Sequence, residues 1–313
     1  MKKISIILLL IITLCAASFS FVGWWGGQGS GPGQFKFQHF LAIAPNTNVY
    51  VSDYENYRIQ VFNPFGGFIG QWGSQGAGNG QFKLPQGIGI STDGTVYVSD
   101  EDNNRIQYFT LSGSYLGQWG TLGTGQGQFH YPRGLAVTAD GNVYVADNQN
   151  NRIEYFTPSG SYLGQFSGGS GIWLNEPCGV AIAANGNVYV TDSLNFRIVY
   201  FSATGTYLGN FGSYGTGPSQ FQGPRGICVS ANGTVYVTDY SLKRVKYFTL
   251  TGSFIGMFGI TGNFPGQFMG PYGIESHANR LYVSDATNCF IEYFDSFSRT
   301  EPSSIGIIRS FFY

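Results

Sequence analysis

Short runs of alternating apolar and polar residues recur along the chain and predict β-strands. The segment VYVSDYENYRIQVF, residues 49–62, contains two such runs joined by a D-x-x-N-x-R turn. Close variants follow it: VYVSDEDNNRIQYF, VYVADNQNNRIEYF, VYVTDSLNFRIVYF, VYVTDYSLKRVKYF and LYVSDATNCFIEYF. The shared aspartates lie 45 to 47 residues apart: Asp53, Asp100, Asp147, Asp192, Asp239 and Asp285. Alternation of this kind is typical of strands with one buried face, so the chain consists of six copies of one β-rich unit.

Each unit predicts four antiparallel strands. A P-x-G segment leads into the first run, as in LPQGIGIS at residues 84–91, and a dipeptide such as Asp93-Gly94 supplies a tight hairpin turn. The V-Y-V and R-I-x-Y-F runs form the second and third strands, and segments such as SYLGQWG at residues 114–120 form the fourth. Such a sheet cannot bury both faces alone, so the units must stack. Radial stacking gives a six-bladed β-propeller, and a linear β-solenoid is the alternative.

The first strand-like segment of the chain lies outside the complete units. FVGWWG, residues 21–26, precedes FIGQWG, the fourth strand of the first unit, by 47 residues. A fourth strand begins 15 residues after the shared aspartate, but Thr300-Glu301-Pro302 at that position after Asp285 does not fit the pattern. We therefore expect residues 21–26 to complete the sixth blade and close the ring. The segment SIGIIR, residues 304–309, is the alternative closing strand.

The N-terminus has the layout of a secretory signal peptide. Lys2 and Lys3 precede an apolar stretch from Ile4 to Leu14, and small residues follow at positions 16–18. We expect a signal peptide at residues 1–20, the propeller at 21–297 and a C-terminal tail at 298–313, and hence a secreted or extracellular-surface protein. The sequence leaves open whether the leader is cleaved or kept as an anchor.

Composition narrows the classes of partner. The chain has 47 glycines, 17% aromatic residues and 11% charged residues among 313, and aromatic residues at this density favour a packed protein over a disordered one. Without residues 1–20 it has 14 basic and 17 acidic residues, a net charge of −3 that gives no general attraction to nucleic acid. The odd number of remaining cysteines, Cys178, Cys228 and Cys289, leaves at least one thiol unpaired. We expect a monomer, with Asn232 in the sequon Asn232-Gly233-Thr234 as a glycosylation site in a eukaryotic host.

The repeated pattern resembles a known family. The motif P-x-G-I-x-V, followed by D/N-G-x-V-Y-V-x-D-x-x-N-x-R-I-x-Y-F, is similar to the NHL repeat across nearly all of residues 21–297. The resemblance implies an all-β, six-bladed propeller with four-stranded antiparallel blades. It implies no single function, because related propellers serve binding, scaffolding and catalysis.

The middle residue of each P-x-G segment is expected near the mouth of the central channel. In this strand order, the loop entering the first strand shares a face with the turn between the second and third strands. We expect a ligand to bind at the ring that these residues form: His39, Gln86, Arg133, Cys178, Arg225 and Tyr272.

The six aspartates are expected to be structural. Equivalent residues in different blades are too far apart to share one Ca²⁺, which needs oxygens within about 2.6 Å. We expect each aspartate to cap its own turn and to pair with the arginine five residues on: Asp53 with Arg58, Asp100 with Arg105, Asp147 with Arg152, Asp192 with Arg197, and Asp239 with Arg244. In the sixth unit Phe290 stands in place of the arginine.

No catalytic set is apparent in the sequence. His39, His130 and His277 occupy three different positions of the repeat, so they are not expected to converge on zinc. We expect no cofactor and a secreted, non-catalytic module that binds or scaffolds a protein, peptide or glycan through the channel-mouth face. The alternatives are a secreted hydrolase or lyase with a metal at the channel mouth, and a structural component of a cell surface or matrix.

Overall fold

The computed structural model describes residues 18–169 and 171–297. Within these ranges the chain forms six four-stranded antiparallel sheets, as the repeat predicts. Blade 1 contains β2 Leu41–Ile43, β3 Val49–Asp53, β4 Arg58–Phe62 and β5 Phe68–Trp72; blade 2 contains β6 Pro85–Ile90, β7 Val96–Asp100, β8 Arg105–Phe109 and β9 Tyr115–Trp119; blade 3 contains β10 Pro132–Val137, β11 Val143–Asp147, β12 Arg152–Phe156 and β13 Tyr162–Phe166.

Blades 4 and 5 repeat this order, and blade 6 recruits the first strand of the chain. A short hairpin, β14 Gly168–Gly169 and β15 Ile172–Trp173, precedes blade 4. Blade 4 contains β16 Pro177–Ile182, β17 Val188–Asp192, β18 Arg197–Phe201 and β19 Tyr207–Phe211; blade 5 contains β20 Pro224–Val229, β21 Val235–Asp239, β22 Arg244–Phe248 and β23 Phe254–Phe258; blade 6 contains β24 Pro271–His277, β25 Arg280–Asp285, β26 Phe290–Phe297 and β1 Ser18–Gly26. In the part of the chain that the structure describes, three single 3₁₀ turns lie at Tyr54–Asn56, Glu101–Asn103 and Ser193–Asn195.

Strand β1 closes the ring. It pairs antiparallel with β26, from Ser18 opposite Phe297 to Gly26 opposite Phe290, which confirms the predicted N-terminal closure. The strand starts at Ser18, so the boundary expected after residue 20 falls inside it; Phe19 already stacks on Phe258, with 4.9 Å between ring centroids. The alternative closing segment at residues 304–309 lies outside the described residues.

Adjacent blades are joined by a repeated hydrogen bond. Among the described residues, the second-strand tyrosine of five blades donates its hydroxyl to a backbone carbonyl of the next blade, as Tyr50 does to Leu111 O at 3.0 Å. Tyr282 of blade 6 donates to Pro64 O of blade 1 at 3.1 Å, so the same contact spans the closure. Each of these tyrosines is buried, so it is both part of the core and a link between blades.

The repeated aspartates bind the incoming connector in all six blades. Oδ1 of Asp53 accepts the backbone N–H of Lys36 at 2.9 Å, and Oδ2 accepts Nε of Arg58 at 2.7 Å. The 3₁₀ turn that follows Asp53 receives no side-chain cap from it, so the expectation that each aspartate caps its own turn was wrong in blade 1. In blades 5 and 6, Asp239 and Asp285 do accept a backbone N–H of their own turns, those of Leu242 and Asn288, each at 3.1 Å. Because the connector residues are far away in the sequence, the turn motif alone does not reveal the contact with the connector.

Four of the five expected Asp–Arg pairs are formed: Arg58–Asp53, Arg105–Asp100, Arg152–Asp147 and Arg197–Asp192, each with 2.7 to 2.8 Å between Nε and a carboxylate oxygen. The fifth expected pair, Asp239 with Arg244, is not among the ion pairs of the described residues. In blade 1, Arg58 donates to the connector carbonyls of Gly31 and Gln34. In blade 5, Lys246 donates to the equivalent carbonyls, those of Gly217 and Gln220. Because this second cation already occupies these acceptors, Arg244 does not bind there.

Candidate functional site

The P-x-G residues converge at one mouth of the channel. A pocket of about 280 Å³ is lined by Phe37, His39, Tyr54, Gln86, Glu101, Arg133, Arg225, Tyr240 and Tyr272. Five of the six residues expected in the ring therefore lie in its wall. The sixth, Cys178, is fully buried, with its Sγ 3.7 Å from Oη of Tyr272. The structure thus brings the expected ring together, with the thiol behind the wall.

The previous blade positions five of the six ring residues through their backbone carbonyls, Cys178 being the exception because Ala146 stands at the hydroxyl position of blade 3. A hydroxyl on the second strand donates to the carbonyl of the ring residue in the next blade, as Ser52 does to Gln86 O at 2.6 Å and Thr191 to Arg225 O at 2.8 Å. The P-x-G glycine is needed for the same reason: a Cβ at Gly87 would collide with Arg133 O of the neighbouring blade. The ring is therefore built on strands, whose positions are more rigid than those of loops.

His39 lies between two tyrosines. Its ring stacks on Tyr272, with 4.0 Å between centroids and 2° between planes, and on Tyr54, with 4.0 Å and 29°. The pKa of His39 is lowered to about 3, mainly by burial; the nearby cations Arg133 and Arg225 contribute to the lowering, and the hydrogen bond to Gln86 opposes it. The imidazole is therefore neutral at physiological pH.

A hydrogen-bonded chain fixes which nitrogen of His39 carries the proton. Glu101 Oε2 accepts Nε2 of Gln86 at 3.0 Å, so Oε1 of Gln86 faces Nδ1 of His39 and accepts its proton. Nε2 of His39 is then an unprotonated acceptor. It is buried and has no hydrogen-bond partner among the described residues. An unpaired acceptor in the pocket wall is suited to a ligand that donates a hydrogen bond.

The pocket carries a net positive charge. Of the described residues in its wall, Arg133 and Arg225 are cations and Glu101 is the carboxylate. Nε of Arg133 lies 3.2 Å from Oε1 of Glu101. Burial lowers the pKa of Arg133, but the neighbouring thiol, phenol and carboxylate raise it by more, so its guanidinium stays charged. The described residues place no carboxylate within ion-pair distance of Arg225, whose hydrogen-bonding neighbour is Cys178.

Sequence reasoning missed part of the wall. Tyr54, Glu101 and Tyr240 each come directly after a repeated aspartate, in the turn between the second and third strands. The sequence predicts that this turn lies on the face of the channel mouth, as it does. The residue directly after each repeated aspartate is therefore the sequence signal for all three wall residues. Phe37 lies two residues before His39 and had no signal of its own.

The histidines do not assemble into a metal centre. His39 is at one mouth of the channel, and His277 lines a cavity of about 260 Å³ at the other end together with Glu275. In the described ranges, no three His, Cys, Asp or Glu side chains are grouped as metal ligands. At the channel mouth, two guanidiniums beside one carboxylate and one imidazole are also an unfavourable donor set for a divalent cation. The residues present therefore do not fit a channel-mouth metal.

Two other expected sites are visible. Asn232 is exposed in a hairpin turn, where Oδ1 accepts the Thr234 N–H at 3.1 Å; glycosylation there stays a prediction. Cys178, Cys228 and Cys289 are buried free thiols in the described part of the chain.

The comparisons place the chain among β-propellers. The NHL repeat model matches residues 39–62 and 221–248, and the SMP-30/Gluconolactonase/LRE-like region model matches residues 73–169. No curated protein matches the chain in sequence.

Solved structures share the fold at low identity. A gluconolactonase from Xanthomonas campestris is 16% identical, with a TM-score of 0.65 over 84% of this chain and 87% of that chain. Virginiamycin B lyase from Staphylococcus aureus is 16% identical, with a TM-score of 0.62 over 89% of this chain and 99% of that chain. A chain of a nidogen–laminin complex is 19% identical, with a TM-score of 0.57 over 74% of this chain and 83% of that chain.

These likenesses show the fold and leave the activity to be argued from the site. The NHL repeat matches fall on blade 1 and on the connector and strands of blade 5, two of the six units that share one motif. The chain is a six-bladed β-propeller of the NHL type.

Proposed function

We propose that this propeller is a non-catalytic binding module that recognises an acidic group of a protein, peptide or glycan at the channel mouth. The observation that carries the proposal is the aromatic-walled pocket with two guanidiniums and one carboxylate. A guanidinium binds a carboxylate through two parallel hydrogen bonds. Arg225 is available for such a pair, because the described residues give it no carboxylate partner.

The walls suit a ligand with an apolar body. Phe37, Tyr54, Tyr240 and Tyr272 surround the arginines, and pockets that combine aromatic walls with a few polar groups are typical of specific ligand sites. Nε2 of His39 adds an acceptor for a hydroxyl or an N–H group. An acidic side chain of a peptide or the acid group of a sugar satisfies the cationic groups.

The same geometry favours binding over catalysis. The pKa of about 3 makes His39 a weak proton acceptor at neutral pH, whereas a general base works best with a pKa near the working pH. The hydrolase or lyase alternative finds support in the gluconolactonase and lyase folds, but the channel-mouth residues do not fit its metal. The nidogen–laminin structure supports a binding role to the extent that a chain of this fold takes part in a protein complex.

Secretion is also part of the proposal, and it rests on the leader at residues 1–20, most of which lies outside the described residues. Among the residues that are described, no helix is long and apolar enough to cross a membrane. We infer that the mature protein acts as a monomer outside the cell. A structural role at a surface or matrix is the variant of this proposal in which the partner is a matrix component.

The charge of the pocket gives a direct test. N-acetylglutamate amide and glucuronate should bind the full mature chain, whereas N-acetylglutamine amide and glucose should not, in ligand-observed NMR. Arg225→Met should weaken binding of the acids about tenfold, because it removes a charge-assisted pair of about 1.5 kcal/mol. Arg280→Met is the matched control, since Arg280 pairs with Asp295 and is not in the pocket wall. Equal binding of acidic and neutral probes would contradict the proposal.

A further inference from the structure

Blade 4 exposes large apolar side chains on the face that carries the pocket. Trp173 is 65% exposed, Leu194 45% and Tyr214 63%. The ring of Phe196 contacts Tyr214, with 4.9 Å between centroids. Nδ2 of Asn195 donates to Trp173 O at 2.9 Å, which holds the turn and β15 together. We call these four residues, Trp173, Leu194, Phe196 and Tyr214, the blade-4 patch.

The fold does not require an apolar residue at position 194. Leu194 is the second residue after the repeated aspartate, and the other five blades carry polar residues there: Glu55, Asp102, Gln149, Ser241 and Thr287. All six turns join the second and third strands on the same face. Because five blades fold with a polar residue at this backbone position, folding does not explain the leucine. A contact with a partner outside the blade does.

The connector before blade 4 departs from the others at the same place. The remaining connectors form a parallel bridge between equivalent residues: Gln28 with Phe35, Gln75 with Phe82, Leu122 with Phe129, Tyr214 with Phe221, and Thr261 with Phe268. Before blade 4, the chain forms the β14–β15 hairpin, which ends at the exposed Trp173. Two independent changes in the repeat thus meet in one patch, and exposed apolar patches mark interaction sites.

The patch and the pocket are close along the chain. Trp173 precedes Cys178, the ring residue of blade 4, by five residues, so their Cα atoms are at most about 18 Å apart. Tyr214 belongs to the connector that leads to Arg225 of the pocket wall. Ser193, the neighbour of Leu194, donates its hydroxyl to the carbonyl of Pro224, the neighbour of Arg225, at 2.9 Å. An extended peptide of about six residues is therefore long enough to reach from the patch to the pocket.

We infer that the blade-4 patch and the arginine pocket bind one extended peptide segment of a partner protein, with an acidic side chain in the pocket and a bulky apolar side chain on the patch. The inference rests on the proposed function for its acidic anchor. The charge of the pocket selects the acid, and the aliphatic side chain of Leu194 in the patch suits an apolar side chain better than a sugar, which stacks on flat rings. The spacing between the two anchors is four to six residues.

The spacing can be measured with synthetic peptides. The probes are fluorescein-labelled, amidated peptides with one Glu and one Leu separated by one to eight Gly/Ser residues, plus a Glu-only peptide of the same length. Binding to the full mature chain is followed by fluorescence anisotropy. The affinity should be highest at a spacing of four to six residues, about tenfold above that of the Glu-only peptide.

Two leucines of equal exposure provide the variant and its control. Leu194→Ser should reduce the affinity of the best Glu–Leu peptide to that of the Glu-only peptide. Leu208→Ser should change nothing, because Leu208 is also 45% exposed but lies on β19, the outer strand of blade 4.

The outcomes separate this inference from the proposed function. If the Glu-only peptide binds and Arg225→Met weakens its binding about tenfold, but the leucine adds no affinity at any spacing, the patch inference is wrong and the acid-binding pocket stands. If no acidic peptide binds, the pocket does not hold an acidic side chain, and the patch inference and the proposed function are both wrong for peptide ligands. Binding of an oligouronate that Leu194→Ser leaves unchanged would assign the pocket to a glycan and overturn the peptide.

Discussion

A chain that begins at Gly27 is expected to lose the propeller fold. Strand β1 supplies the fourth strand of blade 6, so its removal leaves the outer edge of β26 without a partner, while the inner edge stays paired with β25. It also removes Trp25, which is 7% exposed and contacts the rings of Phe62, Tyr282 and Tyr293 at 5.7 to 6.0 Å between centroids. Phe62 belongs to blade 1 and the two tyrosines to blade 6, so Trp25 joins the two ends of the ring.

The size of the effect follows from that one side chain. A buried tryptophan removes about 200 Å² from water, which at about 25 cal/mol per Å² contributes about 5 kcal/mol. The net stability of a domain is about 5 to 15 kcal/mol. Loss of the tryptophan together with the hydrogen bonds of the β1–β26 ladder therefore removes most of the stability, and the unpaired edge of β26 favours aggregation.

Circular dichroism and size-exclusion chromatography can follow this loss by comparing chains that begin at Ser18 and at Gly27. The neighbouring tryptophans give a matched pair, because Trp24 is 43% exposed whereas Trp25 is buried. Trp25→Ser should lower the free energy of unfolding by about 3 to 5 kcal/mol, and Trp24→Ser by about 1 kcal/mol or less. If the chain from Gly27 melts like the longer chain, β1 is not the closing strand.

The internal repeat allowed most of the fold to be predicted from the sequence. Aspartates at steady intervals fixed the register of the six units, and turn dipeptides such as Asp93-Gly94 fixed where strands end. Repetition also placed the ring residues, because equivalent positions of radially stacked sheets face one channel. The arginines and His39 were therefore expected near one another before any contact was known.

Contacts that cross from one blade to the next were not predictable in this way. The partners of Asp53 belong to a connector whose folded path the turn motif does not encode. Arg244 loses its expected place because Lys246, two residues on, takes the same carbonyls. Glu101 is linked to His39 by hydrogen bonds through Gln86, and no spacing in the sequence specifies such a chain of side-chain contacts. The repeat defines equivalent backbone positions, whereas the side chains that differ between blades decide which hydrogen bonds and ion pairs form.

One such difference gives a second large expected effect. Glu292 is the seventh residue after the repeated aspartate of blade 6, and it is fully buried. Neither carboxylate oxygen has a hydrogen-bond partner among the described residues. The pKa of Glu292 is raised to about 8, mainly by burial; the charge of Asp285 contributes to the rise, and the nearby backbone N–H of Gly266 opposes it. Phe290 stands where other blades have an arginine, so no guanidinium offsets the two acids.

Glutamine at the same position is fully bonded in blade 1. Oε1 of Gln60 accepts the Gly33 N–H at 2.8 Å, while Nε2 donates to Gln34 O at 2.7 Å and to Asp53 Oδ2 at 2.9 Å. Blade 6 has the same connector residues, Gly266 and Gln267, and the same aspartate. Glu292→Gln should therefore find an acceptor and a donor partner already in place.

The expected gain depends on pH. An unfolded glutamate has a pKa of about 4.5 and ionises there, whereas folded Glu292 keeps its proton up to about pH 8. The folded state thus binds the extra proton between these values, so the stability that Glu292 contributes is present below about pH 4.5 and is lost as the pH rises to about 8. Glu292→Gln removes this loss. It should change the free energy of unfolding little at pH 5 and raise it by about 3 kcal/mol at pH 8.5.

Denaturant unfolding at the two pH values measures this difference directly. Glu154 and Glu275, whose pKa values burial raises to about 7, also make the parent protein less stable at higher pH, but they are unchanged in the variant and cancel in the comparison. The reverse substitution, Gln60→Glu, is the control, because it installs a buried carboxyl in blade 1 and should destabilise the protein at pH 8.5 more than at pH 5. A gain from Glu292→Gln that is equal at both pH values would show that lost hydrogen bonds, and not the proton, set the stability of blade 6.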